Sequence, residues 1–174
     1  MSIRRIANWS VGSLMLIAIG SLAQQSPSDF KKMSDIVYGT VDGHELKLDL
    51  YMPAEAVTPP LLIYVHGGAW RGGSKERVLT TAFVEDGYAM ASVEFRLSGD
   101  AMFPAQIHDI KAAIRFLRGK AQSYGYEATR IGIMGSSSGG HLVELVGVTN
   151  GHEELEGVVG DYLDQSSDVQ AIVS

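Results

Sequence analysis

The sequence predicts an α/β fold, a largely parallel sheet with helices on both faces. Two short apolar runs, Leu61-Leu62-Ile63-Tyr64-Val65 and Ile131-Gly132-Ile133-Met134, read as strands buried on both sides. Each run passes straight into a glycine-rich loop. Between and after them the apolar spacing changes to a helical period, and strands alternating with helices build parallel sheets. The chain has 174 residues, enough for one domain with one core once an apolar leader is set aside. The formal charge of -6 is mild and argues against a nucleic-acid partner. There is no cysteine, which removes disulfides and thiol chemistry.

Met1 to Gln25 has the layout of a secretory signal peptide. Arg4 and Arg5 form its basic start, Val11 to Leu22 its apolar stretch, and Ser21-Leu22-Ala23 a cleavage site after Ala23. The expected division is residues 1–23 signal, 24–34 polar linker and 35–174 folded domain, exported to the periplasm or outside the cell. Asn8, Ser10 and Ser13 dilute the apolar stretch, which is short for a membrane span, so no stable membrane association is expected after cleavage.

Asp35 to Thr40 and Leu46 to Tyr51 read as strands of a hairpin turning at Asp42-Gly43. Leu46, Leu48 and Leu50 alternate with Lys47, Asp49 and Tyr51, as in a strand with one buried face. Pro59-Pro60 ends a loop before the 61–65 strand. The spacing predicts a helix over 76–85 ending near Gly87, a strand over 88–94, and a loop over 98–103. Pro104 opens a helix where its missing N–H costs little; Ile107, Ile110, Lys111, Ile114 and Leu117 continue it to Tyr124, and Gly125 stops it. Leu142 to Val148 is apolar and helix-like. Asn150 to Ser167, acidic and glycine-containing, is expected as a surface excursion, and Val169 to Ser174 as the opening of another strand.

The chemistry concentrates at the two loops. Gly135-Ser136-Ser137-Ser138-Gly139 has the G-x-S-x-G pattern that puts a serine on a sharp strand-to-helix turn. Gly135 and Gly139 carry no Cβ to clash there, and Gly140 is expected to let the helix pack tightly on the strand. The helix N-terminus aims N–H groups and partial positive charge at a developing oxyanion. The other run enters His66-Gly67-Gly68-Ala69-Trp70, where side-chain-free backbone N–H groups can approach a carbonyl oxygen.

These paired motifs, with Phe95-Arg96-Leu97-Ser98, Phe103-Pro104-Ala105-Gln106 and Arg130-Ile131-Gly132 in the same order, resemble the α/β-hydrolase superfamily over residues 35–174. The likeness is to its secreted esterase/lipase branch, which includes feruloyl-esterase-like, acetylxylan-esterase-like and hormone-sensitive-lipase-like enzymes. The resemblance implies a serine ester hydrolase in which Ser137 attacks and N–H groups of Gly67, Gly68 and Ser138 hold the oxyanion. No cofactor is implied. The substrate would be a small-molecule or carbohydrate-linked ester, acetyl or feruloyl among the choices; the oligomeric state is open. Many relatives carry an acidic residue before the nucleophile and alanine after it, where this chain has Ser136 and Ser138, and Ala69 replaces a third glycine. The second donor therefore stays open among Gly67, Gly68 and Ala69. Trp70 either lines the substrate pocket or packs over the loop.

The resemblance also implies a triad ordered serine, acid, histidine, with the last two after later strands. None of the five histidines stands there: His66 belongs to the oxyanion loop, His141 to the elbow helix, and His44, His108 and His152 lie elsewhere. Asp161, Asp164 and Asp168 come too early for the acid, and Asp109 and Arg115 read as surface or structural charges. Acid and base are thus expected beyond Ser174, in a longer protein of which this chain is an N-terminal portion, inactive alone. A prolyl-oligopeptidase-type peptidase and a truncated non-catalytic homologue are the alternatives; the H-G-G-A-W loop favours the esterase over the peptidase. A dinucleotide loop does not fit, because Gly132, Gly135 and Gly139 lack the required spacing, and no H-E-x-x-H or paired histidines suggest a metal.

Overall fold

The two apolar runs are neighbours in space. In the computed structural model, which describes residues 30–174, β3 (Pro60–Val65) pairs in parallel with β5 (Glu127–Gly135) on one side and with β4 (Ala89–Val93) on the other. β2 (His44–Pro53) runs antiparallel to β4, β1 (Phe30–Val41) closes that edge as a hairpin with β2, and β6 (Ala171–Val173) lies parallel to β5 at the opposite edge. The resulting order is β1-β2-β4-β3-β5-β6. The expected signal segment and most of the expected linker lie outside the described residues. The linker boundary needs correction, since β1 starts at Phe30 rather than after residue 34. The hairpin turns where expected: Asp42 and Gly43 both have positive φ, 51° and 82°, as the turn that follows strand twist demands.

The strands show the period of two on both faces. Leu48, Leu50, Leu61, Ile63, Val65, Ala89, Ala91, Val93, Ile131 and Ile133 point to one side, under α2 (Ala105–Tyr124) and α3 (Ser138–Val148). Tyr51, Tyr64 and Met90 point to the other, where α1 (Ala82–Glu85) contributes Val84. This second layer corrects the expectation that Asp49 and Tyr51 face solvent: they are 1% and 6% exposed. It also corrects the helix expected over 76–85, of which only Ala82–Glu85 is helical. The preceding residues are spent on turns around Lys75, which enters the sheet's second face.

The long helix forms as its spacing predicts. Ile107, Ile110, Ile114 and Leu117 are fully buried, and Gly125, at φ 87°, ends it with its N–H donating to the Ala121 carbonyl. Its polar members are buried too. Asp109 accepts from the Arg96 N–H at 2.9 Å and from the Arg96 guanidinium at 2.6 and 2.9 Å. Lys111, fully buried, donates to Glu156 at 2.6 Å and to the Thr149 carbonyl at 2.7 Å. Arg115 donates to the Glu156 and Val159 carbonyls, and Ser167 to the Glu156 carboxylate. The 150–167 segment, which includes the short α4 (Glu153–Glu156), is therefore pinned to α2 rather than lying free on the surface.

This pinning has a pH dependence. Burial alone would raise the Glu156 pKa, but hydrogen bonds from Lys111, Ser167 and the Gly151 N–H outweigh it and lower it below 4.5. Glu76, bonded to Lys75, is held down to about 2. Carboxylates depressed in the folded state contribute their full stability above their unfolded values and lose it as pH falls through the folded ones. The urea midpoint should be flat from about pH 7 to 5 and fall steadily below about 4.5. A midpoint unchanged at pH 3 would contradict this.

Candidate active site

The parallel pairing of β3 with β5 sets Val65 opposite Gly135, so the residues that follow each strand emerge side by side. Adjacent strands lie about 4.8 Å apart, which leaves little room between the two loops. A Cβ on Gly67 would sit 2.7 Å from the Ser136 carbonyl oxygen and 3.3 Å from the Ser137 Cβ. Gly67 is therefore pressed against the serine turn, and only glycine fits.

Ser137 is the N-cap residue of α3, with φ 55° and ψ -121°. A non-glycine residue there is strained, at a cost of order 1–3 kcal/mol. Its surroundings hold it: the Gly139 N–H donates to the Ser136 carbonyl at 2.9 Å and the His141 N–H to the Ser137 carbonyl at 3.1 Å. A Cβ on Gly135 would lie 2.5 Å from the Gly139 backbone, and one on Gly139 would lie 2.2 Å from the Val65 carbonyl oxygen. Gly140 is a correction. A Cβ there would meet nothing closer than 3.6 Å, so the tight packing rests on Gly135 and Gly139.

Ser138 opens α3 and is buried, and its hydroxyl has no hydrogen-bond partner. Its side chain makes no hydrogen bond, whereas its N–H sits in the first turn of the helix. Ser138→Ala should therefore change kcat by less than about threefold and leave stability the same or slightly higher, since an unpaired buried hydroxyl is removed. Steady-state kinetics and thermal melting check both halves.

The 66–75 loop is strained and braced. Gly68 has φ 136°, and Ala69 and Trp70 have φ 53° and 59°, two successive non-glycine residues in left-handed conformation. Arg71 and Gly72 N–H groups both donate to the Gly68 carbonyl, and the Ser98 N–H donates to the Trp70 carbonyl at 2.7 Å. His66, 1% exposed, stacks on Phe95 at 4.6 Å and donates from Nδ1 to the Gly67 carbonyl at 2.9 Å. That bond fixes the tautomer, and burial pushes the imidazole pKa down, so His66 stays neutral. It shapes the loop, and no hydrogen bond joins its ring to the Ser137 hydroxyl.

The other histidines are placed elsewhere as well. His141 meets Trp70 edge-to-face at 5.5 Å, His108 bonds the Glu154 carbonyl, His44 pairs with Val41 in the hairpin, and His152 caps α4. No three His, Asp or Glu side chains converge as metal ligands among the described residues. Trp70 and His141 line a cavity of about 290 Å³ with Ala69, Ser98, Phe103 and Leu142, beside the serine turn. Trp70 is 39% exposed and Phe103 60%, so their rings are open to a ligand as well as packed. Sequence reasoning missed the Arg96–Asp109 pair that fixes the loop behind this cavity, and it missed Lys75. The only available signals were single charges inside otherwise apolar or glycine-rich stretches.

Comparison with known proteins agrees with this geometry. The BD-FAE family profile matches residues 48–174. Esterase LipC of Mycobacterium tuberculosis is 29% identical over 138 residues, covering 76% of this chain and 34% of LipC. Among solved structures, a bifunctional GH43-CE protein of Bacteroides eggerthii superposes with TM-score 0.75 at 40% identity, over 81% of this chain and 20% of that one. A truncated carbohydrate esterase from gut microbiota superposes with TM-score 0.77 at 33% identity, over 84% and 57%. The chain thus spans about a third of LipC and just over half of the carbohydrate esterase.

Proposed function

The chain belongs to the BD-FAE family of α/β-hydrolase esterases, and from that premise we propose that its protein is an exported serine carboxylic-ester hydrolase acting through an acyl-enzyme on Ser137. The observation that carries the proposal is the β3–β5 register, which presses Gly67 against Ser137 and so brings the glycine loop beside the N-terminus of α3. In this reading the Ser137 Oγ attacks the ester carbonyl carbon and passes its proton to a histidine base. The carbonyl oxygen becomes an oxyanion between the N–H groups of Gly67, Gly68 and Ser138. The alcohol then leaves with the base's proton, and water attacks the acyl-enzyme by the reverse route.

No imidazole among the described residues hydrogen-bonds the Ser137 hydroxyl, and in this reading the acid and base come from outside the described fold. The cavity under Trp70 and Phe103 suits a sugar ring or an aromatic acyl group stacked on an indole, which favours acetyl or feruloyl esters on carbohydrate. Cleavage after Ala23 would deliver the enzyme outside the cytoplasm, where such polymers are met.

The test uses the protein expressed from its full reading frame. It should hydrolyse p-nitrophenyl acetate and release acetate or ferulate from substituted xylo-oligosaccharides, and a fluorophosphonate should label the peptide containing Ser137. A folded protein showing neither serine-dependent turnover nor labelling would refute the assignment.

A further inference from the structure

The Lys75 ammonium sits at the far end of the oxyanion loop, 4% exposed, in a cage of carboxylates. It lies 3.0 Å from Asp49 of β2, 3.0 Å from Asp35 of β1 and 2.9 Å from Glu76. Asp49 is itself 1% exposed and is met from the rim by Lys32 at 2.8 Å. The Lys75 carbonyl is held independently, accepting from the buried Ser92 hydroxyl of β4 at 2.7 Å. The loop's strained residues lie between this anchor and His66. Gly73 ties the two ends, since a Cβ there would fall 2.4 Å from the His66 Nδ1. Two successive left-handed non-glycine residues, Ala69 and Trp70, hold only when the surrounding structure over-determines them.

We propose that Lys75 is a positioning residue for the oxyanion hole: its ammonium, held by Asp35, Asp49 and Glu76, fixes the returning end of loop 66–75 to β1 and β2 and keeps the Gly67 and Gly68 N–H groups aimed at the oxyanion. This rests on the ester-hydrolase reading, and it names a residue that never touches substrate. Burial alone would lower the Lys75 pKa, but the bonds to Glu76, Asp35 and Asp49 outweigh it and raise it, so the ammonium stays charged across the working pH range.

The full-length protein carrying Lys75→Gln should lose about 10- to 100-fold in kcat on p-nitrophenyl acetate, the range for oxyanion donors misdirected rather than removed, with KM within about threefold. Affinity for a boronic acid, which mimics the tetrahedral intermediate, should fall in step with kcat/KM. Lys75→Arg should restore most of both. Amide hydrogen exchange over residues 67–74 should accelerate at least about tenfold while α2 exchange stays unchanged. Lys32→Met, at the rim of the cage, should leave loop exchange at the parent rate. If Lys75→Gln does not fold, Ser92→Ala, which frees the same loop end, should show the same pattern more weakly. Parent-like exchange in the loop, or a loss carried wholly by KM, overturns the proposal. Absence of Ser137-dependent turnover in the parent defeats the esterase reading instead, and the exchange arm still decides whether Lys75 holds the loop.

Discussion

Ser137→Ala in the full-length protein is expected to lower kcat for ester hydrolysis by at least about 10⁴-fold while the protein still folds and binds. The size follows from what the hydroxyl does. In the proposed mechanism there is no acyl-enzyme without Oγ, and what remains is water held beside an intact oxyanion hole, worth roughly 10³-fold over solution. Folding should be spared because the side chain does little structurally: α3 has no side-chain cap bond from Ser137. Alanine at φ 55° carries the same strain as serine, so the melting point should shift by no more than about 1 kcal/mol allows. Ser137→Gly should be equally inactive but more stable than the parent, since glycine adopts that conformation freely. Ser138→Ala, one position on, is the contrast: its contribution is a backbone N–H that the substitution keeps. If Ser137→Ala retained more than about a hundredth of parent activity, the nucleophile would be another residue.

The sequence made the site legible because each of its parts is a backbone requirement. A serine between glycines at a strand end and a second glycine pair after another strand are patterns that steric constraint writes into residue identity. The hairpin at Asp42-Gly43 and the long helix ending at Gly125 were legible for the same reason. What the sequence concealed is charge placed by tertiary structure. Asp49 alternates with leucines just as an exposed strand residue would, and only the return of Lys75 over the sheet's second face buries it. Glu156 sits in an acidic segment that looks solvent-borne, yet it pairs with two buried cations of α2. Residues 76–81 have helical spacing, but the need to carry Lys75 into its cage spends them on turns. Buried ion pairs of this kind leave no periodic signature, because each partner is specified only by a residue far away in sequence.

The same distinction between a backbone requirement and a loose one separates Gly139 from Gly140. Gly139→Ala would put a methyl 2.2 Å from the Val65 carbonyl oxygen and 2.6 Å from that of His66. Both are backbone atoms of the strand end that launches the oxyanion loop, so no rotamer change relieves the clash. The helix must lift off β3, and the expected cost is about 3 kcal/mol, the upper part of the range for overpacking a rigid site. Activity should fall further than stability accounts for, because the displaced atoms precede Gly67 by one or two residues and, in the proposed mechanism, carry the oxyanion donors with them. Gly140→Ala meets only ordinary contacts, at 3.6 Å and beyond. It also replaces glycine inside a helix, so it should be neutral or stabilising by up to about 1 kcal/mol. Urea unfolding of the two variants, with p-nitrophenyl acetate kinetics on whatever folds, checks the pair. Equal destabilisation by both would mean that α3 crosses β3 at Gly140, one residue further along than the geometry places it.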